Sequence, residues 1–171
     1  MKLILLGYMG CGKSTIAKAL SKKIALPFID LDDYIERIEG KTIGELFKSK
    51  GEIYFRKIER QCIEDLMERK EDFILALGGG TACYYDTMEF LNSKENVITV
   101  YLKTNLDHLV KRLFLEKSNR PLIAEIETQD ELKEFIAKHI FERSYFYNKA
   151  QYIINNSSIE HTILQIEDIL K

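Results

Sequence analysis

The chain has little cysteine, and what it has is scattered. Cys11, Cys62 and Cys83 form no C-x-x-C pair, so neither a disulfide framework nor a zinc site is indicated. His108, His139 and His161 lie far from one another and from any cysteine, and a protein-ligated transition metal is not expected. No apolar run approaches the ~20 residues needed to cross a bilayer. The opening Lys2-Leu3-Ile4-Leu5-Leu6 is too short for a signal-peptide core and runs directly into a glycine loop. Neither sign of charge dominates: 25 Lys plus Arg stand against 27 Asp plus Glu, a net charge of −2. That balance gives no electrostatic reason for duplex DNA as a partner, although a local basic cluster can still grip a small anion. Repeats, low-complexity tracts and Pro/Gly-rich linkers are missing as well. The chain therefore reads as cytoplasmic, with no nucleic-acid or membrane partner. Nothing in it suggests a large apolar interface, so a monomer is expected.

What is present is the composition of a globular domain: 171 residues, 46% hydrophobic and 30% charged, too apolar for disorder. Strand-like and helix-like segments alternate throughout. Residues 2–6, 27–31, 72–77, 96–102 and 151–154 read as short strands. Helices are expected at 13–24, 31–39, 42–49, 52–69, 85–92, 105–115, 129–147 and from about 159 to the end. Thr42 with Glu45 and Thr128 with Glu131 have the spacing of capping boxes, and Ser157 with Glu160 is read as the cap of the last helix. Five strands separated by helices argue for an α/β fold of three layers, a parallel sheet covered on both faces. Ligands in such sheets bind beyond the carboxyl ends of the strands. The unusual residues all follow strand ends and should converge on one crevice.

The first of these is Gly7-Tyr8-Met9-Gly10-Cys11-Gly12-Lys13-Ser14, which fits G-x-x-x-x-G-K-S/T between a strand and a helix. Glycines let the backbone curl so that N–H groups face phosphate oxygens. The helix that follows adds its positive end. Gly10, Cys11, Gly12, Lys13, Ser14 and Thr15 are thus candidate ATP contacts, with Lys13 reaching the β and γ phosphates and Ser14 ligating Mg²⁺. Cys11 is read as a small side chain that fits the loop. The motif does not separate kinases from other nucleotide-triphosphate proteins. An N-K-x-D guanine motif is absent, and the chain is short for a motor.

Other strand ends carry Asp30 and Asp32, then Gly78-Gly79-Gly80. Bare carboxylates near a phosphate loop suggest Mg²⁺ or a hydroxyl, although Asp32 or Asp33 would also cap a helix. Three glycines after a strand allow a ligand close to backbone N–H groups. Arg56 reads from spacing as a surface arginine paired with Glu52 or Glu59, and Arg143 as a solvated neighbour of Glu142. Arg120 lies in a polar stretch between two helices that can fold over the site, where an arginine offsets charge on a transferring phosphoryl group.

Taken together, G-x-x-G-x-G-K-S-T (residues 7–15), F-I-D-x-D (28–32), G-E-x-x-F-R-x-x-E (51–59), A-L-G-G-G (76–80), R-P-L (120–122) and E-R-x-x-x-Y (142–147) give a sequence that resembles the shikimate kinase family along essentially its whole length. The resemblance implies a phosphate-loop kinase of the nucleoside-monophosphate-kinase type with strand order 2-3-1-4-5. It implies a single domain of core (1–30, 72–110, 124–171), substrate-binding helical insert (31–61) and lid (about 112–124). The implied reaction phosphorylates the 3-hydroxyl of shikimate with ATP and Mg²⁺. By the same resemblance, Asp30 orders the Mg²⁺ shell and Asp32 binds the acceptor hydroxyl as candidate base. Arg56 and Arg143 bind the acceptor carboxylate, Gly78, Gly79 and Gly80 lie under the ring, and Lys13 and Arg120 act on the phosphoryl group. Asn155 is placed in the adenine-contacting loop. The chain departs from the family in lacking a proline between Arg143 and Tyr147, and its lid lacks glycine. Kinases of the same fold acting on gluconate or a nucleoside monophosphate, or a nucleotide-binding module without catalysis, are the alternatives.

Overall fold

The computed structural model describes residues 1–171, the side chain of Asn119 excepted. Its centre is a parallel sheet of β1 (Lys2–Leu6), β2 (Phe28–Asp30), β3 (Phe73–Ala76), β4 (Val97–Lys103) and β5 (Tyr152–Asn155), in the order β2-β3-β1-β4-β5. That is the expected order. β1 is buried at every position, as a central strand must be when helices cover both faces.

Connecting helices are α1 (Lys13–Ile24), α2 (Leu31–Glu39), α3 (Ile43–Met67), α4 (Thr87–Asn92), α5 (Leu106–Glu116), α6 (Gln129–Tyr147) and α7 (Ile159–Ile169). α1 buries Ile16, Ala17 and Leu20, the stripe expected of one helical face. Both capping boxes form: Thr42 and Thr128 each accept from the N3 backbone while Glu45 and Glu131 reach back. The last helix is capped by Ser158, which accepts from the His161 N–H, and not by Ser157. α6 runs unbroken to Tyr147, so the missing proline leaves the helix end intact.

The two helices expected at 42–49 and 52–69 join into α3 with a kink at Gly51, where φ is 80° and ψ is 172°. Only glycine occupies that region without strain. A Cβ at Gly51 would meet nothing within 4 Å, so the constraint is one of backbone conformation alone. Gly51→Ala should therefore lower stability by about 1–3 kcal/mol, seen as a reduced urea midpoint with unchanged slope. A wild-type midpoint would show that the kink does not depend on this residue.

Candidate active site

A cleft of about 780 Å³ opens beyond the carboxyl ends of the strands. Its walls draw on every strand end: Met9 to Ile16 after β1, Asp30 and Asp32 at β2, Gly78 and Gly79 after β3, Thr104 after β4, and Asn156 to Ile159 after β5. Lys111, Arg112, Glu116 and Arg120 close one side.

The phosphate loop is shaped by what grips its carbonyls. Arg112 Nη1 donates to the Gly10 carbonyl. The Cys11 carbonyl accepts from Asn156 Nδ2 at 2.5 Å and Thr104 Oγ1 at 3.4 Å. In a trans peptide the C=O and the next N–H point oppositely, so fixing the Cys11 carbonyl on Asn156 and Thr104 turns the Gly12 N–H away from them. Gly12 starts α1 without a side-chain cap, and no acid lies in the first turn. The helix thus leaves its N-terminal donors open to an anion. Lys13 is folded back, its Nζ donating to the Gly7 carbonyl at 2.9 Å and the Tyr8 carbonyl at 3.0 Å.

Asp30 and Asp32 divide the work that β2 delivers. Asp30 is the N-cap of α2, accepting from the Asp32 N–H at 3.1 Å. Its other oxygen accepts from Ser14 Oγ at 2.6 Å. The cap is therefore Asp30, and not Asp32 or Asp33. Asp32 is left with its carboxylate in the cleft wall. Burial pushes its pKa up to about 6, Asp30 and Glu59 push the same way, and Lys13 and Arg56 oppose them.

The triple glycine lies beside this carboxylate. A Cβ at Gly78 would lie 2.8 Å from Thr81 Oγ1, 3.0 Å from Asp32 Oδ1 and 3.3 Å from Glu59 Oε1. At Gly79 it would lie 3.0 Å from the Met9 nitrogen, and at Gly80 3.0 Å from Arg56 Nη2. Each glycine thus makes room for the protein's own polar groups, a tighter constraint than an open floor. Gly78 and Gly79 line the cleft, whereas Gly80 faces Arg56.

Arg56 is no solvated arginine. Its Nη1 donates to Glu59 Oε2 at 2.9 Å, its Nε sits 3.5 Å from Glu52 Oε1, and its guanidinium lies 3.9 Å from the Tyr84 ring centroid. Glu59 is 2% exposed and also accepts from Thr81 Oγ1 at 2.6 Å. Burial pushes its carboxyl up against these donors. Arg143 donates to the Gly79 carbonyl at 3.3 Å. Arg56 and Arg143 therefore flank the glycines without lining the main cleft, Arg143 bonded to the Gly79 carbonyl and Arg56 held on α3 beside Gly80. Arg120 lines the cleft, held by Glu116 Oε2 at 2.8 Å.

Most sequence-derived candidates thus meet around one cleft: Gly10, Cys11, Gly12, Lys13, Ser14, Thr15, Asp30, Asp32, Gly78, Gly79 and Arg120 line it. Asn155 does not. It belongs to β5, is exposed and pairs in register with Lys103, and the following Asn156 reaches the loop instead. Glu59 and Tyr147 join the site without having been assigned to it. Glu59 closes the G-E-x-x-F-R-x-x-E motif, a usable signal. Tyr147, which donates to the Gly79 carbonyl, closes E-R-x-x-x-Y, where spacing says nothing of a hydrogen bond.

The Asp32 environment has a stability consequence. Its folded pKa of about 6 lies above the ordinary value of 3.8, so the folded state holds this proton more tightly than the unfolded one. The contribution is lost as pH rises from about 4 through 6 and stays lost above it. Asp32→Asn should raise stability at pH 7.5 by roughly 2 kcal/mol and change it little at pH 4. Equal thermal midpoints at pH 7.5 would contradict the buried charge.

Comparison with known proteins places these features in one family. The family model for shikimate kinase matches residues 9–171. A shikimate kinase of Flavobacterium johnsoniae is 48% identical over 171 residues, covering 99% of this chain and 98% of the relative. The crystal structure of shikimate kinase from Bacteroides thetaiotaomicron superposes with a TM-score of 0.89 at 39% identity, covering 99% of this chain and 98% of that one. A shikimate kinase from Acinetobacter baumannii, solved in complex with shikimate, gives 0.84 at 30% identity, covering 99% and 92%.

Proposed function

Because the chain belongs to the shikimate kinase family, we propose that it transfers the γ-phosphoryl group of ATP to the 3-hydroxyl of shikimate, giving shikimate 3-phosphate and ADP. The observation that carries this reading is the position of Asp32. Its carboxylate lines the cleft with Lys13 of the phosphate loop and lies beside the glycine segment that Arg56 adjoins, as a group between donor and acceptor must.

Lys13 leaves its loop carbonyls for the β and γ phosphates, and Arg120 exchanges Glu116 for the transferring group; both offset charge there. The loop N–H groups from Gly10 to Thr15 cradle the phosphates. Ser14 and Asp30 present hard oxygen donors side by side, which fits a Mg²⁺ that takes most of its ligands from phosphates and water; among the described residues no cluster of His, Cys, Asp or Glu could hold a metal alone. When bound, Mg²⁺ would neutralise charge on the phosphates. Asp32 orients the acceptor hydroxyl and accepts its proton. Arg56 and Arg143 take the acceptor carboxylate, for which a planar guanidinium is suited, with Gly78, Gly79 and Gly80 beneath the ring.

In the same reading, residues 31–61 form the acceptor-binding insert and about 112–124 the lid. The enzyme is monomeric and cytoplasmic, with no nucleic-acid or membrane partner. The near balance of charge gives no electrostatic pull toward nucleic acid, and no helix among the described residues is long and apolar enough to cross a membrane.

A coupled assay with ATP, Mg²⁺ and shikimate, gluconate or AMP should release ADP with shikimate; turnover confined to gluconate or AMP would assign another acceptor. Arg56→Ala should raise the shikimate KM by roughly 10–100-fold with little change in the ATP KM, and equal loss of both would remove the arginine from the acceptor site. Asp32→Asn should bind both substrates yet lower kcat by about 10²–10⁴-fold. In the wild type, kcat/KM should rise with pH up to about 6, the value at which Asp32 ionises. Near-normal turnover of the variant would remove the proposed base.

A further inference from the structure

Tyr147 is fully buried at the end of α6, stacked on Tyr101 with ring centroids 5.1 Å apart. Its phenol donates to the Gly79 carbonyl at 2.5 Å. Arg143 stands four residues earlier on the same helical face and donates to that same carbonyl at 3.3 Å. The phenol is the close donor and the guanidinium the loose one. Burial, the largest influence on the Tyr147 hydroxyl, raises its pKa far above the working range, so it stays a donor throughout.

Two consequences follow from peptide geometry. All peptide bonds in the chain are trans, so fixing the Gly79 carbonyl toward α6 turns the Gly80 N–H away from α6. That N–H has no backbone acceptor among the described residues, and it sits on the residue whose open side touches the Arg56 guanidinium. On its other side, the Gly79 backbone rests against Met9 of the phosphate loop, leaving little room to rotate. Arg143 commits one of its five N–H donors to the Gly79 carbonyl and can swing toward a ligand carboxylate at the expense of that loose bond. It can do so without stranding a buried acceptor only if another donor stays behind.

We infer that Tyr147 is a positioning residue for the acceptor site: by holding the Gly79 carbonyl it aims the Gly80 N–H toward the acceptor carboxylate and frees Arg143 to bind the same group. This rests on the shikimate reading above and assigns it a residue outside the substrate contacts. Without the phenol, Arg143 is retained by the carbonyl, and the cost appears in acceptor binding.

The test compares the wild type, Tyr147→Phe and Thr99→Val. Thr99 is a fully buried hydroxyl bonded to Asn92 and Gln151 away from the cleft, so its loss reports what a merely structural bond does. Tyr147→Phe should raise the shikimate KM about tenfold with kcat and the ATP KM close to wild type. Thr99→Val should lower the thermal midpoint and leave the shikimate KM unchanged. A wild-type shikimate KM in Tyr147→Phe, or equal rises in both KM values, would overturn the inference. Should Tyr147→Phe fail to fold, hydrogen exchange in the wild type decides: saturating shikimate should protect the Gly80 amide while ATP alone should not, and no protection by shikimate would overturn it. A wild type lacking shikimate-dependent turnover would sink the functional reading itself, whereas an active wild type with an unaffected Tyr147→Phe sinks the positioning role alone.

Discussion

The glycine wall of the cleft depends on the buried carboxylate of Glu59. Taking a carboxylate out of water is costly unless donors meet it, and here Arg56 and Thr81 do so. That arrangement draws Arg56 off the surface and presses α3 against the segment after β3. It also crowds the space at Gly78 so closely that a side chain has no place. The ion pair and the glycine are therefore one constraint. A third group, Asp32, sits in the same neighbourhood, and burial, with Asp30 and Glu59 adding to it, is why its proton is held so tightly.

At the other end, the loop after β1 is held from outside. Arg112, Thr104 and Asn156, contributed by α5 and by the ends of β4 and β5, occupy the carbonyls of Gly10 and Cys11. With those carbonyls engaged, the uncapped start of α1 leaves its N–H donors open. The anion site is thus built by neighbours on three other segments as much as by the glycine motif. Electrostatics and positioning are the two things phosphoryl transfer asks of a protein.

How much of this was legible follows from how local each feature is. The phosphate loop, both capping boxes and the break at Gly51 depend on contiguous residues, and the sequence pattern places them correctly. The edge strand β5 shows the opposite. Only Ile154 of its four residues is buried, so periodicity could not locate its end, and Asn155, expected in the loop after the strand, is its last residue. The same uncertainty displaced the helix cap from Ser158 to Ser157. Glu59 with Thr81, Tyr147 with Gly79 and Arg112 with Gly10 are separated by 22, 68 and 102 residues. No local spacing encodes such meetings. Arg56 lay between these cases: spacing favoured an ordinary ion pair, which the structure does contain, but its burial became visible only once α3 was packed.

The bend in α3 has a mechanical consequence. Gly51 separates an outer segment, residues 43–50, from the inner one that carries Arg56 and Glu59. The two segments stay tied across the bend, since Phe47 packs on Phe55 and Lys50 donates to the Tyr54 hydroxyl, while Arg56 is moored on the inner side by Glu59. The bend thus aims one helix twice along its length, once for the segment that seats Leu46 in the core and once for the segment that carries Arg56 and Glu59.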